Sequence, residues 1–335
     1  KDIFSFPGGT PASGQGGGPP TLAEVLSGFN PYGTEDGGRE TPLGRDEAIF
    51  GGSDVGSFLW GQGHDNTLDM RHDRGLTFFP DRSTNTARVD LDVAGAAVTN
   101  EFTGEATMYG KAEIFDEGGT RLNNATTFGI HHVIGTQNDD GITGDAADNV
   151  IEGMAGADTM DGGEGGEDTL SYRLAPEGVG LRLQATGTGV TVIGEGGHAA
   201  GDSATGFDVV AMTDHADSLD AVPLTTLALG DTPTLPLAGR PGMTVETGAG
   251  DDTVSLGLGP VVEARLGTGA DRATIAGPGH VVFGENGRDV FTLRDAIPLL
   301  IEGESTADRT SRIDGGVNLD TLVGAGGGFG ERVVT

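Results

Sequence analysis

The sequence predicts an all-β protein of the parallel β-roll or β-helix solenoid class, preceded by a Pro/Gly-rich arm and one short N-terminal helix. Three observations lead there. Residues 135–162, GTQNDDGITGDAADNVIEGMAGADTMDG, return a glycine, an acid or amide and an aliphatic residue every nine positions. Glycine supplies 62 of 335 residues, far above the usual roughly 7%, and aromatics only 5%, so one jigsaw core is not expected. Alternating stretches, RVDLDV at 88–93 and VGLRLQ at 179–184, read as strands. Stacked repeats suit such a composition because they grow in one dimension.

In chain order, GTPASGQGGGPP at 9–20 is the arm, and TLAEVLSG carries a capping box with Thr21 as N-cap, Glu24 three residues on and Gly28 as stop. The solenoid begins near Ile49, where GQGHDNTLD at 61–69 matches GDAADNVIE at 144–152. A longer repeat overlays 203–220 on 126–143 at a constant offset of 77, bringing Gly129 onto Gly206 and Asp140 onto Asp217. These features divide the chain into an arm with its helix (1–47) and two β-solenoid modules (48–172 and 173–335), each a strand-rich lead-in feeding a roll.

Within a nonapeptide the glycines permit tight turns with positive φ, and the aliphatic residue points inward. The sixth-place carboxylate falls between neighbouring turns, where it and backbone carbonyls can surround a hard cation, best matched by Ca2+. Two nonapeptides make one circuit, so residues 18 apart share an edge. Asp140 and Asp158 satisfy this; Asn149 and Asp168 form the opposite edge at 19, because EGGED carries one extra residue. Further sixth places are Asp252, Asp271, Asp289 and Asp320, the first three separated by 19 and 18. Ala273 stands at the aliphatic place after Asp271. Between them GLGP (257–260) and GPGH (277–280) hold no acid, which predicts a second half loaded along one edge only. Asp217 is not counted as a ligand, since Ala216 replaces the acid before it and no tandem copy follows at once.

GMAGADTMDGG and its copies resemble the RTX (repeats-in-toxin) family of calcium-binding nonapeptide proteins. The resemblance implies a calcium-filled parallel β-roll, a bacterial protein exported by type I secretion, and an extracellular or cell-surface location. It also raises the expectation of surface-layer assembly, and makes the C-terminal GAGGGFGERVVT a candidate secretion signal.

Charge narrows the partners. With 19 basic and 51 acidic residues the net charge is −32, a surface that repels phosphate backbones and anionic lipid, so nucleic acid is excluded as a partner. Cysteine is absent, removing disulfides and thiolate metal sites, and no apolar run approaches the ~18 residues of a membrane span. The chain opens at Lys1 without an apolar signal segment, which fits a processed or truncated product or export without an N-terminal signal.

No enzyme is expected. H-E-x-x-H, G-x-S-x-G and a P-loop are all missing, and 51 acids make any paired-carboxylate assignment arbitrary without geometry. In FGIHHVIG, alternation places one of His131 and His132 inside and the other outside, both structural. His64 and His72 are flanked by acids, but oxygen ligation already accounts for those carboxylates. The expected function is a secreted calcium-binding structural or surface-assembly protein, with calcium-dependent self-association. An adhesin recognising a glycan or cell surface, and the secretion and folding portion of a larger RTX hydrolase, are the alternatives.

Overall fold

A computed structural model describes residues 47–48, 57–60, 67–70, 85–93, 97–99, 106–108, 110–221 apart from 187–188, 242–294 apart from 258 and 278, and 311–324. The arm, the helix expected at 21–28, His64, His72 and the C-terminal tail lie outside these residues. The described part is nearly all β, with a single 3-10 turn at Gly197–Ala199 and two large sheets of ten and fourteen strands.

From His132–Ile134 onward the chain lays strands in the two sheets by turns. Gly141–Thr143, Val150–Glu152 and Thr159–Asp161 follow one another into alternate sheets, and every neighbouring pair in the ten-stranded sheet is parallel. This arrangement is consistent with the β-roll or β-helix class. Three-residue strands are what the nonapeptide allows, because glycine turns occupy the rest of each period.

Inward residues of the short strands are buried, Leu322 only partly, and register stacks them in two columns. One runs Leu68, Val133, Ile151, Leu170, Val210, Val245, Ala264, Val282, Ile313. The other holds Val89, Ile142, Met160 and Ala204, then Leu181, Leu219, Val254, Ala273, Phe291 and Leu322. Ala273 is therefore a true core position, 1% exposed, with the larger Phe291 on the next strand. The last three residues of the early match, Thr67–Asp69 and Val150–Glu152, both pair with His132–Ile134.

Two strands of the fourteen-stranded sheet run the opposite way, Gly110–Phe115 and Gly189–Gly196. Each belongs to a three-strand insertion of one topology. Thr86–Asp90 pairs ahead with Gly141–Thr143, the chain reverses through Gly110–Phe115, and Arg121–Phe128 returns to the Ser57–Trp60 side. Likewise Gly180–Thr186 pairs ahead with Ser218–Ala221, Gly189–Gly196 reverses, and Ser203–Thr205 returns to Thr159–Asp161. The offset of 77 read from sequence is thus a structural repeat, and the lead-in strands are its insertions. Both sheets continue across residue 172 through the pairings of Thr159–Asp161 and Thr169–Ser171.

Candidate metal centre

The sixth-place residue ends each glycine turn and starts the next strand, so in-register strands bring these residues one above another. Each carboxylate accepts a hydrogen bond from the backbone N–H of its counterpart on the preceding strand. Asp140 N–H donates to Asp158 Oδ1 at 2.8 Å, and Asp158 N–H to Asp202 Oδ1 at 2.9 Å. Beyond the reversed strand a second row continues the pattern. Asp217 donates to Asp252 (2.8 Å), Asp252 to Asp271 (2.9 Å), Asp271 to Asp289 (3.0 Å) and Asp289 to Asp320 (3.1 Å). The isolated Asp320 is accordingly the last rung of this row.

The opposite edge carries Asn149, Asp168 and Asp208, with N–H bonds of 2.9 Å to Asp168 Oδ1 and 3.1 Å to Asp208 Oδ2. Farther along, where no acid was expected, Val262 N–H donates to His280 Nδ1 at 3.1 Å and His280 N–H to Ser311 Oγ at 3.1 Å. Neutral groups do there what carboxylates do elsewhere. Beyond Asp208 the described rungs of this edge carry no acid, while the other edge keeps Asp217, Asp252, Asp271, Asp289 and Asp320.

One oxygen per carboxylate is consumed by this bond. The other, Oδ2, is buried without a hydrogen-bond partner in Asp158, Asp252, Asp271 and Asp289, all at most 1% exposed. Asp140 differs: its Oδ1 accepts from Ala87 N–H and the Thr136 hydroxyl, and its Oδ2 from Thr136 N–H. Asp217 is held in the same way by Val179 and Thr213. The sequence separated these two aspartates; the structure gives them one environment, the satisfied first rung of each row.

Burial pushes the carboxyl of Asp158 up to about 8 and that of Asp271 up to about 7. The same cause raises Asp140, Asp168, Asp202 and Asp252 to about 6, and also lifts Asp217 and Asp289. Neighbouring rungs add to it, Asp202 and Asp140 acting on Asp158, Asp252 and Asp289 on Asp271.

The turn glycines form the other wall. A Cβ on Gly135 would stand 2.5 Å from Asp140 Oδ2 and 2.6 Å from the Gly153 carbonyl oxygen. One on Gly284 would stand 2.6 Å from the Gly315 carbonyl and 2.7 Å from Asp289 Oδ2, and one on Gly153 would strike Asp158 Oδ2. Carboxylate and carbonyl oxygens therefore crowd the space each glycine leaves open. Among the described residues no three His, Asp or Glu side chains converge on a point. A cation in this row would draw on one carboxylate oxygen per rung and on backbone carbonyls, a donor set that suits calcium better than a transition metal. Gly153→Ala is expected to cost about 1–3 kcal/mol by overpacking. Gly141→Ala, where a Cβ meets nothing within 4 Å, should stay within about 0.5 kcal/mol of wild type. Paired thermal melts check both.

Sequence reasoning missed several members. Asp202 and Asp208 complete rows although they lie in no nonapeptide. Asp139, Asp148 and Asp251, each just before a sixth place, accept from the N–H groups of Ala157, Glu167 and Ala270 on the following circuit at 2.8 Å. An acid directly before the sixth-place acid or amide was the available signal for these three. The histidine expectation is corrected: neither ring is inside. Val133 is the inward residue, His131 sits half-buried at the row's edge with Nδ1 2.9 Å from Asp145 Oδ2, and His132 Nδ1 accepts from Val150 N–H at 3.0 Å. The bond to Asp145 raises the His131 pKa above its ordinary value. Asn149 closes this corner, its Nδ2 donating to His131 O and Asp145 Oδ1 at 2.9 Å. No protein-family model matches the chain, and no curated protein matches it significantly.

Proposed function

We propose that this chain is a secreted, calcium-binding structural protein of the bacterial surface, built as a parallel β-roll or β-helix solenoid whose circuits are clamped by cations along the aspartate rows. The observation carrying this reading is the set of buried, unpartnered oxygens on Asp158, Asp252, Asp271 and Asp289. A buried carboxylate without compensation costs several kcal/mol, and parallel strands hold successive ones only about 4.8 Å apart. Such a row must be neutralised. Protonation serves at acid pH, and at neutral pH a hard divalent cation does so while also using the glycine carbonyls. Sites of this kind fill at the calcium levels found outside cells, which is why an extracellular setting is proposed.

Asp158→Asn tests the reading by a reversal of sign. The amide oxygen still accepts from Asp140 N–H, but the buried charge is gone. In EDTA at neutral pH the variant is expected to melt higher than wild type, and in calcium lower, with reduced calcium stoichiometry by calorimetry. Equal shifts in both buffers would reject a cation role for this rung.

Assembly belongs to the same proposal. Val317, Leu319 and Val323 are 62%, 80% and 47% exposed around the last rung, where Arg312–Asp314 and Thr321–Gly324 end the two sheets. Terminal strands of the described sheets and apolar side chains favour pairing with another copy once calcium has cancelled part of the −32 charge. Light scattering should detect association in millimolar calcium that EDTA reverses; a monomer under both conditions removes assembly from the proposal.

A further inference from the structure

The first row does not end on a nonapeptide. Asp202 follows Asp158 by 44 residues, a stretch that includes the reversed strand and the Gly197–Ala199 turn, yet its Oδ1 accepts from Asp158 N–H as an ordinary rung would. No rung follows, because the reversed strand lies next, with Gly194 N–H donating to Asp202 O at 2.9 Å. The place taken by a turn glycine in the regular circuits is here held by Tyr172. It follows Thr169–Ser171 in the other sheet and donates its hydroxyl to Asp202 Oδ2 at 2.9 Å. Asp158, Asp202 and Tyr172 are 1%, 2% and 1% exposed, and Asp158 Oδ2 is without a partner. Nearby Glu152 is already engaged by the Ser171 hydroxyl and Leu174 N–H.

We infer that Asp158 and Asp202, with the Tyr172 hydroxyl as positioning donor, form a sealed terminal site for one hard di- or trivalent cation. It differs in construction from the glycine-walled rungs. Two carboxylates supply the charge that such an ion balances, and a carboxylate oxygen bonded to a phenol keeps lone pairs for a metal. The hydroxyl fixes which side of Asp202 faces Asp158. This inference rests on the calcium reading of the ladder and names the site within it that a phenol reports.

Terbium is the probe, since a tyrosine beside a bound lanthanide sensitises its luminescence, and the chain has only three tyrosines and one tryptophan. Titration of the calcium-free full chain should give tyrosine-sensitised emission, and Tyr172→Phe, which keeps the ring volume, should lose most of it. Asp202→Asn keeps the bond to Asp158 N–H and should bind one calcium fewer by calorimetry. Undiminished emission from Tyr172→Phe, or unchanged stoichiometry in Asp202→Asn, with wild type binding calcium, would overturn this site and leave the ladder reading standing. No calcium uptake by wild type would overturn both.

Discussion

In EDTA at pH 8 the β-sheet circular dichroism of this chain is expected to collapse, and millimolar calcium to restore it. Among the described rungs, Asp158, Asp252, Asp271 and Asp289 each hold a buried oxygen without a partner. For extracellular-type sites at tenfold ligand excess, linkage gives about 1.4 kcal/mol per cation, or about 6 kcal/mol for four. That equals the whole stability of many domains, roughly 5–15 kcal/mol. The metal-free state must in addition hold the unneutralised rows. A spectrum indifferent to EDTA would remove cations from the account of stability.

Acid should substitute for calcium. Unfolded aspartate titrates near 3.9, whereas burial raises the folded rungs to between about 6 and about 8. Between these limits the folded chain binds more protons than the unfolded one, so stability falls as pH rises. The contribution is fully present below about 4 and lost as pH passes through 6 to 8. His131, raised by Asp145, works in the same direction; Asp145, which burial would lift but its bonds to His131 and Asn149 depress, works against it as pH falls. Melts in EDTA from pH 5 upward should show the melting temperature dropping, by an amount worth several kcal/mol over the rows, until the sheet signal is lost near pH 8. In calcium the dependence should flatten, because the cation and the proton compete for the same oxygens. A metal-free melting temperature that rises with pH would contradict the burial argument.

What the sequence disclosed was local and periodic. The 18- and 19-residue intervals put Asp140 with Asp158, Asn149 with Asp168, and Asp252 with Asp271 and Asp289 because two periods bring the chain to the next strand of the same sheet and nothing intervenes. The repeat at 77 survived for the same reason. What it withheld depends on returns from excursions. Asp202 reaches its row only after a reversed strand has been placed ahead of it, and Ala204, where an aliphatic was expected, conceals the rung. Tyr172 meets Asp202 across the interior from the other sheet, a contact no period encodes. His280 and Ser311 break the acidic pattern, yet the backbone N–H of the preceding strand requires only an acceptor.

The unequal intervals along the second row carry an engineering consequence. Asp271 and Asp289 are 18 residues apart and Asp289 and Asp320 are 31 apart, yet both pairs make the same single bond across one strand spacing. By loop-closure entropy the longer detour costs only about 0.5 kcal/mol more. Foreign peptides grafted between rungs should therefore be carried as cargo along the sheets, their pitch fixed by the strands beneath and their length left free.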